Sequence, residues 1–127
     1  MSKYCIDSSV WISYIRGESG KVHECIEMNE LVCSSLALVE VADICTVGGM
    51  NELQVKELLQ FITSKCKPIP INISLSVNAS RIKHKQRKTK NKFSIVDAMH
   101  YATALNEHAT LVTRDNDFTG LSNVLMI

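Results

Sequence analysis

No stretch of the chain approaches the run of about 18 apolar residues that a membrane span needs, and the opening MSKYCIDSSV has neither the basic region nor the small-residue cleavage site of a secretory signal. The expected location is therefore the cytoplasm, with no membrane partner. Paired cysteine motifs are also missing. The five cysteines stand 8 to 21 residues apart with no C-x-x-C among them, which excludes a disulfide framework and a thiolate zinc site and leaves small buried hydrophobes. Repeats, linkers and Pro/Gly-rich tracts are absent too, so one domain over residues 1–127 is expected. With 46% apolar and 21% charged residues, the chain has the composition of an ordinary globular domain and not of a disordered one.

Charge of one sign is missing over a long stretch: no Asp or Glu occurs from Leu58 to Val96. Within it lie Arg81, Lys83, Lys85, Arg87, Lys88, Lys90 and Lys92, seven of the fourteen basic residues. The remaining seven are set against thirteen acidic residues elsewhere. The net charge of +1 thus hides a basic patch on an acidic body. A solvated face usually intersperses both signs, so the tract is a candidate for RNA phosphate contacts, which give affinity without reading sequence.

What is there alternates. KYCID, LVCSS, PIPI, ATLVT and VLMI read as five short strands. Helical patterns separate them: VWISYIRG; residues 20–29 with Val22, Cys25, Ile26 and Met28 inward; the stretch opened by Ser34 or Ser35 and ended by Gly48 and Gly49; Val55, Leu58, Leu59, Ile62 and Cys66; residues 73–85; and a helix opened by Ser94 with Ile95, Ala98, Met99, Ala102 and Leu105 on one face. Strands alternating with helices predict a three-layer α/β/α sandwich around a parallel sheet of about five strands.

Ligands bind outside the carboxyl ends of such strands, and that is where the acids fall. Asp7 ends the first strand, and Asp115 and Asp117 follow the fourth. Asp97 lies in the first turn of the helix opened by Ser94, and Glu40 sits inside the apolar run SSLALVEVAD. Each has a structural reading as well: Asp7 as a helix cap with Ser8 and Ser9, Asp97 as the far half of an S-I-V-D capping box, Asp115 and Asp117 as turn residues. Glu40 fits neither a cap nor a solvated face and needs a buried partner. His100 reads as a packed or rim residue, and Trp11, Tyr14 and Phe118 as packing. Two carboxylates about 5 Å apart repel by roughly 3 kcal/mol at an effective dielectric near 20. A cluster of them therefore calls for a hard divalent cation, Mg²⁺ or Mn²⁺, and such a cation beside a phosphodiester points to metal-assisted hydrolysis.

Four motifs, IDSSVWISYIRG, LALVEVADI, SIVDAMHYATAL and LVTRDNDF, occur in an order and spacing that resembles the PIN-domain ribonucleases, and among them the VapC-type toxins of toxin-antitoxin pairs. The resemblance implies a PIN-like α/β/α fold and a Mg²⁺- or Mn²⁺-dependent endoribonuclease site of Asp7, Glu40, Asp97 and Asp115, with Asp117 as the alternative or a fifth acid. It further implies supporting roles for Ser9 and Thr113, an antitoxin partner and a homodimer. Two other readings remain at this point: a PIN-like module that binds RNA or protein without cutting, and an RNA-processing nuclease outside toxin-antitoxin systems. A phosphatase or phospho-receiver on a related sheet fits less well, because Ser9 stands where a D-x-D nucleophile motif has its second acid.

Overall fold

The structure, a computed structural model, describes residues 2–127. Among the described residues five strands and six α-helices follow one another as β1 (Lys3–Ile6), α1 (Ser8–Ile15), α2 (Gly20–Glu27), β2 (Glu30–Ser34), α3 (Ser35–Val47), α4 (Glu52–Lys65), β3 (Lys67–Ile69), α5 (Ile73–Gln86), α6 (Ile95–Asn106), β4 (Thr110–Thr113) and β5 (Val124–Met126). No helix among these residues is long and apolar enough to cross a membrane.

All strands pair in parallel, in the order β3-β2-β1-β4-β5. Side chains alternate across this sheet as the period of 2 demands. Ile6, Leu31, Cys33 and Val112 join Trp11, Ala37, Val41 and Ile62 in a core beneath α1 to α4. Their neighbours Cys5, Val32 and Leu111 join Leu75, Ala79, Ala98 and Ala102 in a second core beneath α5 and α6. The expected α/β/α sandwich is therefore present. Proline is tolerated at Pro68 because β3 is an edge strand, and Pro70, which has no N–H to give, lies just past its end. The expected third strand accordingly starts one residue earlier, at Lys67, and ends two residues earlier, at Ile69.

Helix ends follow local chemistry. Ser34 caps α3 by accepting from the Leu36 N–H at 3.2 Å, and Asn51 with Gln54 makes a reciprocal capping box on α4. After α1 and α3 the chain turns at Gly17 (φ +65°) and Gly49 (φ +97°), conformations that a side chain would strain.

Two expectations fail. Met28 lies past the end of α2 and is 65% exposed, so it does not point inward. The apolar stripe drawn on α6 is also misplaced: Ile95 and Leu105 are exposed, whereas seven consecutive residues from Ala98 to Ala104 are buried. The reason is that α6 packs at once on α5, α3 and strands β1, β2 and β4, which leaves it without a solvated face along its middle. The five cysteines are buried thiols in no disulfide, as expected. Burial pushes Cys25 up to about 11, which keeps it an inert thiol.

Candidate active site

The succession of strands reverses between β1 and β4, the place where open parallel sheets form a crevice. A cavity of about 360 Å³ lies there, lined by Asp7, Glu40, Asp97 and Asp115 together with the α1 residues Ser8, Ser9, Ile12 and Ser13 and by Arg16, Glu18, Ile44 and Arg114. The four acids that the sequence singled out therefore meet in one place. Asp117 does not line the cavity.

Asp7 occupies the position of a cap for α1, but its side chain makes no cap hydrogen bond. Its Oδ2 instead accepts from Ser9 Oγ at 2.6 Å and from Thr113 Oγ1 at 2.9 Å. Ser9 Oγ in turn accepts from the Arg114 N–H at 3.0 Å, and Thr113 Oγ1 from the Asp115 N–H at 3.0 Å. Two hydroxyls thus tie the end of β1 to the turn after β4 and hold a carboxylate only 4% exposed. Asp115 Oδ1 accepts from the Asp117 N–H at 2.9 Å, closing the short 3₁₀ turn Asn116–Phe118. The turn reading of Asp115 and its place in the cavity hold together.

The same is true of Asp97. Its Oδ2 accepts from the Ser94 N–H at 2.9 Å while Ser94 Oγ accepts from the Asp97 N–H at 3.0 Å, a complete capping box on α6. This cap also fixes the carboxylate at the cavity wall. Burial raises the Asp97 pKa, the cap hydrogen bonds oppose that rise, and the charges of Asp115 and Asp117 add to it, for a net upward shift. Desolvation dominates the shift, and the two neighbouring carboxylates add to it.

Glu40 has the buried partner that the sequence demanded, and it is a histidine. His100 Nε2 lies 2.6 Å from Glu40 Oε1 and 3.5 Å from Asp7 Oδ1. Burial raises the Glu40 pKa, but the hydrogen bond and charge of His100, with a hydrogen bond from Ser8, bring it below the ordinary value. For His100, burial pulls the pKa down, yet the Glu40 hydrogen bond and the charges of Asp7, Glu40 and Asp97 carry it above the ordinary value. The ligand-capable atoms of Asp7, Glu40 and His100 lie within 4.8 Å of one another, close enough for one metal ion, and with the His100 Nε2–H donating to Glu40 the two carboxylates are the pair free to bind it.

Sequence reasoning gave His100 as a packed or rim residue and did not link it to Glu40; its position three residues after Asp97, on the same face of α6, was the available signal. It also missed Arg16 and Arg114, the cations that line the cavity. Arg16 follows Ser9 and Ile12 at helical spacing, and Arg114 directly follows Thr113. None of the seven residues of the basic tract lines the cavity. The tract covers the end of α5 and the connection to α6, where Arg87 Nη1 donates to the Phe93 carbonyl at 3.4 Å and Lys90 Nζ to the Thr119 carbonyl at 2.6 Å. Because α5 and α6 pack as a hairpin, this connection lies at the end of α6 that carries Asp97.

Against the model of the PIN domain family, residues 4–123 match. The chain belongs to the PIN domain family. No match is found among the curated proteins by sequence. Among solved structures, this PIN domain resembles a toxin-antitoxin complex from Klebsiella pneumoniae (19% identity, TM-score 0.75, covering 99% of this chain and 97% of that one). It also resembles VapBC2 from Rickettsia felis bound to a fragment of promoter DNA (17% identity, TM-score 0.78, 98% and 97% covered). A third is VapC20 from Mycobacterium tuberculosis, a sarcin-ricin loop cleaving toxin (16% identity, TM-score 0.71, 97% and 98% covered). At these identities the likeness speaks for the fold.

Proposed function

We propose that this PIN domain is a metal-dependent endoribonuclease that hydrolyses RNA phosphodiester bonds, and that it is the toxin of a toxin-antitoxin pair acting in the cytoplasm as a single-domain chain. The observation that carries the reading is the meeting of Asp7, Glu40, Asp97 and Asp115 in one cavity at the switch point of the sheet. The structural neighbours named for toxin-antitoxin complexes support the toxin half, and they motivate an antitoxin partner and a homodimer.

The donor set fits a hard divalent ion. Its oxygens are carboxylates, the ligands such an ion prefers, and a cation would offset both the burial and the neighbouring charges that raise the Asp97 pKa. Asp7 and Asp97 would hold Mg²⁺ or Mn²⁺, with Glu40 and Asp115 completing the shell. Such an ion, when bound, lowers the pKa of a water and neutralises charge on the scissile phosphate. The chain's own residues do the rest. Ser9 and Thr113 keep Asp7 in place, Ser94 keeps Asp97 in place, and Glu40 and Asp115 accept hydrogen bonds from the attacking water. Arg114 lines the cavity and offers a phosphate a cationic contact. Arg16, also on the wall, is shared with Glu18 at 3.6 Å.

The test is cleavage of single-stranded RNA with Mn²⁺. Wild-type protein is expected to cut, and Asp97→Asn to cut at least about a hundredfold more slowly. Equal cleavage by both would overturn the assignment and favour a binding module. For the toxin half, induced expression is expected to arrest growth, with Asp7→Ala relieving the arrest. The basic tract makes a separate prediction. Replacing the exposed Arg81, Lys85 and Lys88 by Gln is expected to flatten the slope of log affinity for RNA against log salt by about 2, at roughly 0.7 per phosphate contact on a single strand. An unchanged slope would remove the tract from the RNA path.

A further inference from the structure

The side-chain hydrogen bond between α3 and α6, beside the cavity, is made by one ring nitrogen. His100 is 1% exposed, and its Nε2 faces Glu40 Oε1 at 2.6 Å and Asp7 Oδ1 at 3.5 Å. An ionised carboxylate only accepts hydrogen bonds, so Nε2 carries the proton whatever the state of the rest of the ring. The other nitrogen, Nδ1, is buried with no hydrogen-bond partner. A histidine kept in the interior for packing satisfies both nitrogens or is replaced by an apolar side chain. This one leaves Nδ1 orphaned and directs its single polar contact between two carboxylates from different elements. The backbone around it is buried as well: the Cys5 Sγ–H points to the His100 carbonyl at 3.8 Å, from the strand that leads to Asp7.

Glu40 needs such a hold. Its side chain is 36% exposed, and three rotatable bonds let an untethered glutamate turn out to water. We infer that His100 is a positioning residue that pins Glu40 toward Asp7, so that the two carboxylates are arranged for a divalent ion before it arrives. The inference rests on the nuclease reading of the cavity. His100 acts through Glu40 and does not touch the substrate. The buried, donor-bearing ring does for this carboxylate what an outer hydrogen-bond partner does for a metal ligand, where loss of the partner commonly weakens metal binding by about 10- to 100-fold.

The experiment measures Mn²⁺ binding by calorimetry on wild type, His100→Leu and His100→Gln, with a thermal melt of each. His100→Leu keeps the volume and removes the donor; it is expected to weaken Mn²⁺ binding by about 10- to 100-fold. His100→Gln keeps an N–H that reaches Glu40 and is expected to recover most of the loss. If the leucine variant fails to fold, His100→Asn takes its place, since its shorter amide does not reach Glu40, and the same weakening is expected. In cleavage assays the loss is expected to shrink at saturating Mn²⁺ with the KM for RNA unchanged. Wild-type affinity in the folded leucine or asparagine variant, or equal weakness in the glutamine variant, overturns the positioning role while leaving the nuclease reading intact. Wild-type protein that binds no Mn²⁺ but still cuts RNA overturns both the metal site and this inference.

Discussion

Replacing Asp7 by asparagine is expected to cut RNA cleavage by about three orders of magnitude and to leave the protein folded. The side chain is 4% exposed and stands at the end of β1, where Ser9, Thr113 and His100 all address it. Asparagine has the same shape, and its carbonyl can still accept from Ser9 and Thr113, so the link between β1 and the turn after β4 persists. What disappears is the negative charge. A metal ion contributes several kcal/mol to stabilising a transition state, and every 1.4 kcal/mol is tenfold in rate, so losing about 4 kcal/mol gives the stated factor. Removing one member of a crowded acid cluster also relieves repulsion, which offsets the weakened hydrogen bonds. The melting temperature is therefore expected to move by only a few degrees. Single-turnover cleavage and a thermal melt of the same preparation check both halves. A large drop in melting temperature would mean that Asp7 is a structural residue first.

The second large effect concerns stability. Trp11→Ala is expected to cost about 3–5 kcal/mol, a third or more of what a domain of this size usually has. Trp11 is the largest fully buried side chain, at the centre of the core beneath α1 to α4, and meets the Tyr14 ring edge-on at 6.0 Å. Its indole nitrogen has no hydrogen-bond partner, so the loss is one of packing and apolar burial alone. Urea unfolding is expected to show a lower midpoint at an unchanged slope. Because α1 also carries Ser8 and Ser9, and Arg16 follows its end, cleavage at 37 °C is expected to fall with the folded fraction and to recover on cooling. A midpoint within experimental error of wild type would show that this core collapses around the void.

Much of this arrangement was legible in the sequence, for physical reasons that differ from residue to residue. Short apolar runs between helical patterns specify a parallel sheet, because only strands buried on both faces lose the polar alternation. The convergence of Asp7, Asp97 and Asp115 followed from their places at strand ends and a helix start. Glu40 was visible as a charge in the wrong surroundings. Its partner was not: a histidine on an apolar helix looks the same whether it satisfies the core or reaches across to another element. The stripe on α6 failed for a related reason, since a helix packed on three sides has no amphipathic period to read. The basic tract's proximity in sequence to Asp97 says which end of the helix is near, and nothing about which side chains face the cavity. Arg16 and Arg114, single charges, could be read only from their spacing to Ser9 and Ile12 and to Thr113.

The account depends on a cation settling among those carboxylates, and crystals grown with Mn²⁺ test it most directly through an anomalous difference map. The predicted result is a peak in the cavity between β1 and α6, with Asp7 and Asp97 oxygens at about 2.1 Å. Strong anomalous signal elsewhere with none in the cavity, at a manganese concentration that supports cleavage, would contradict it.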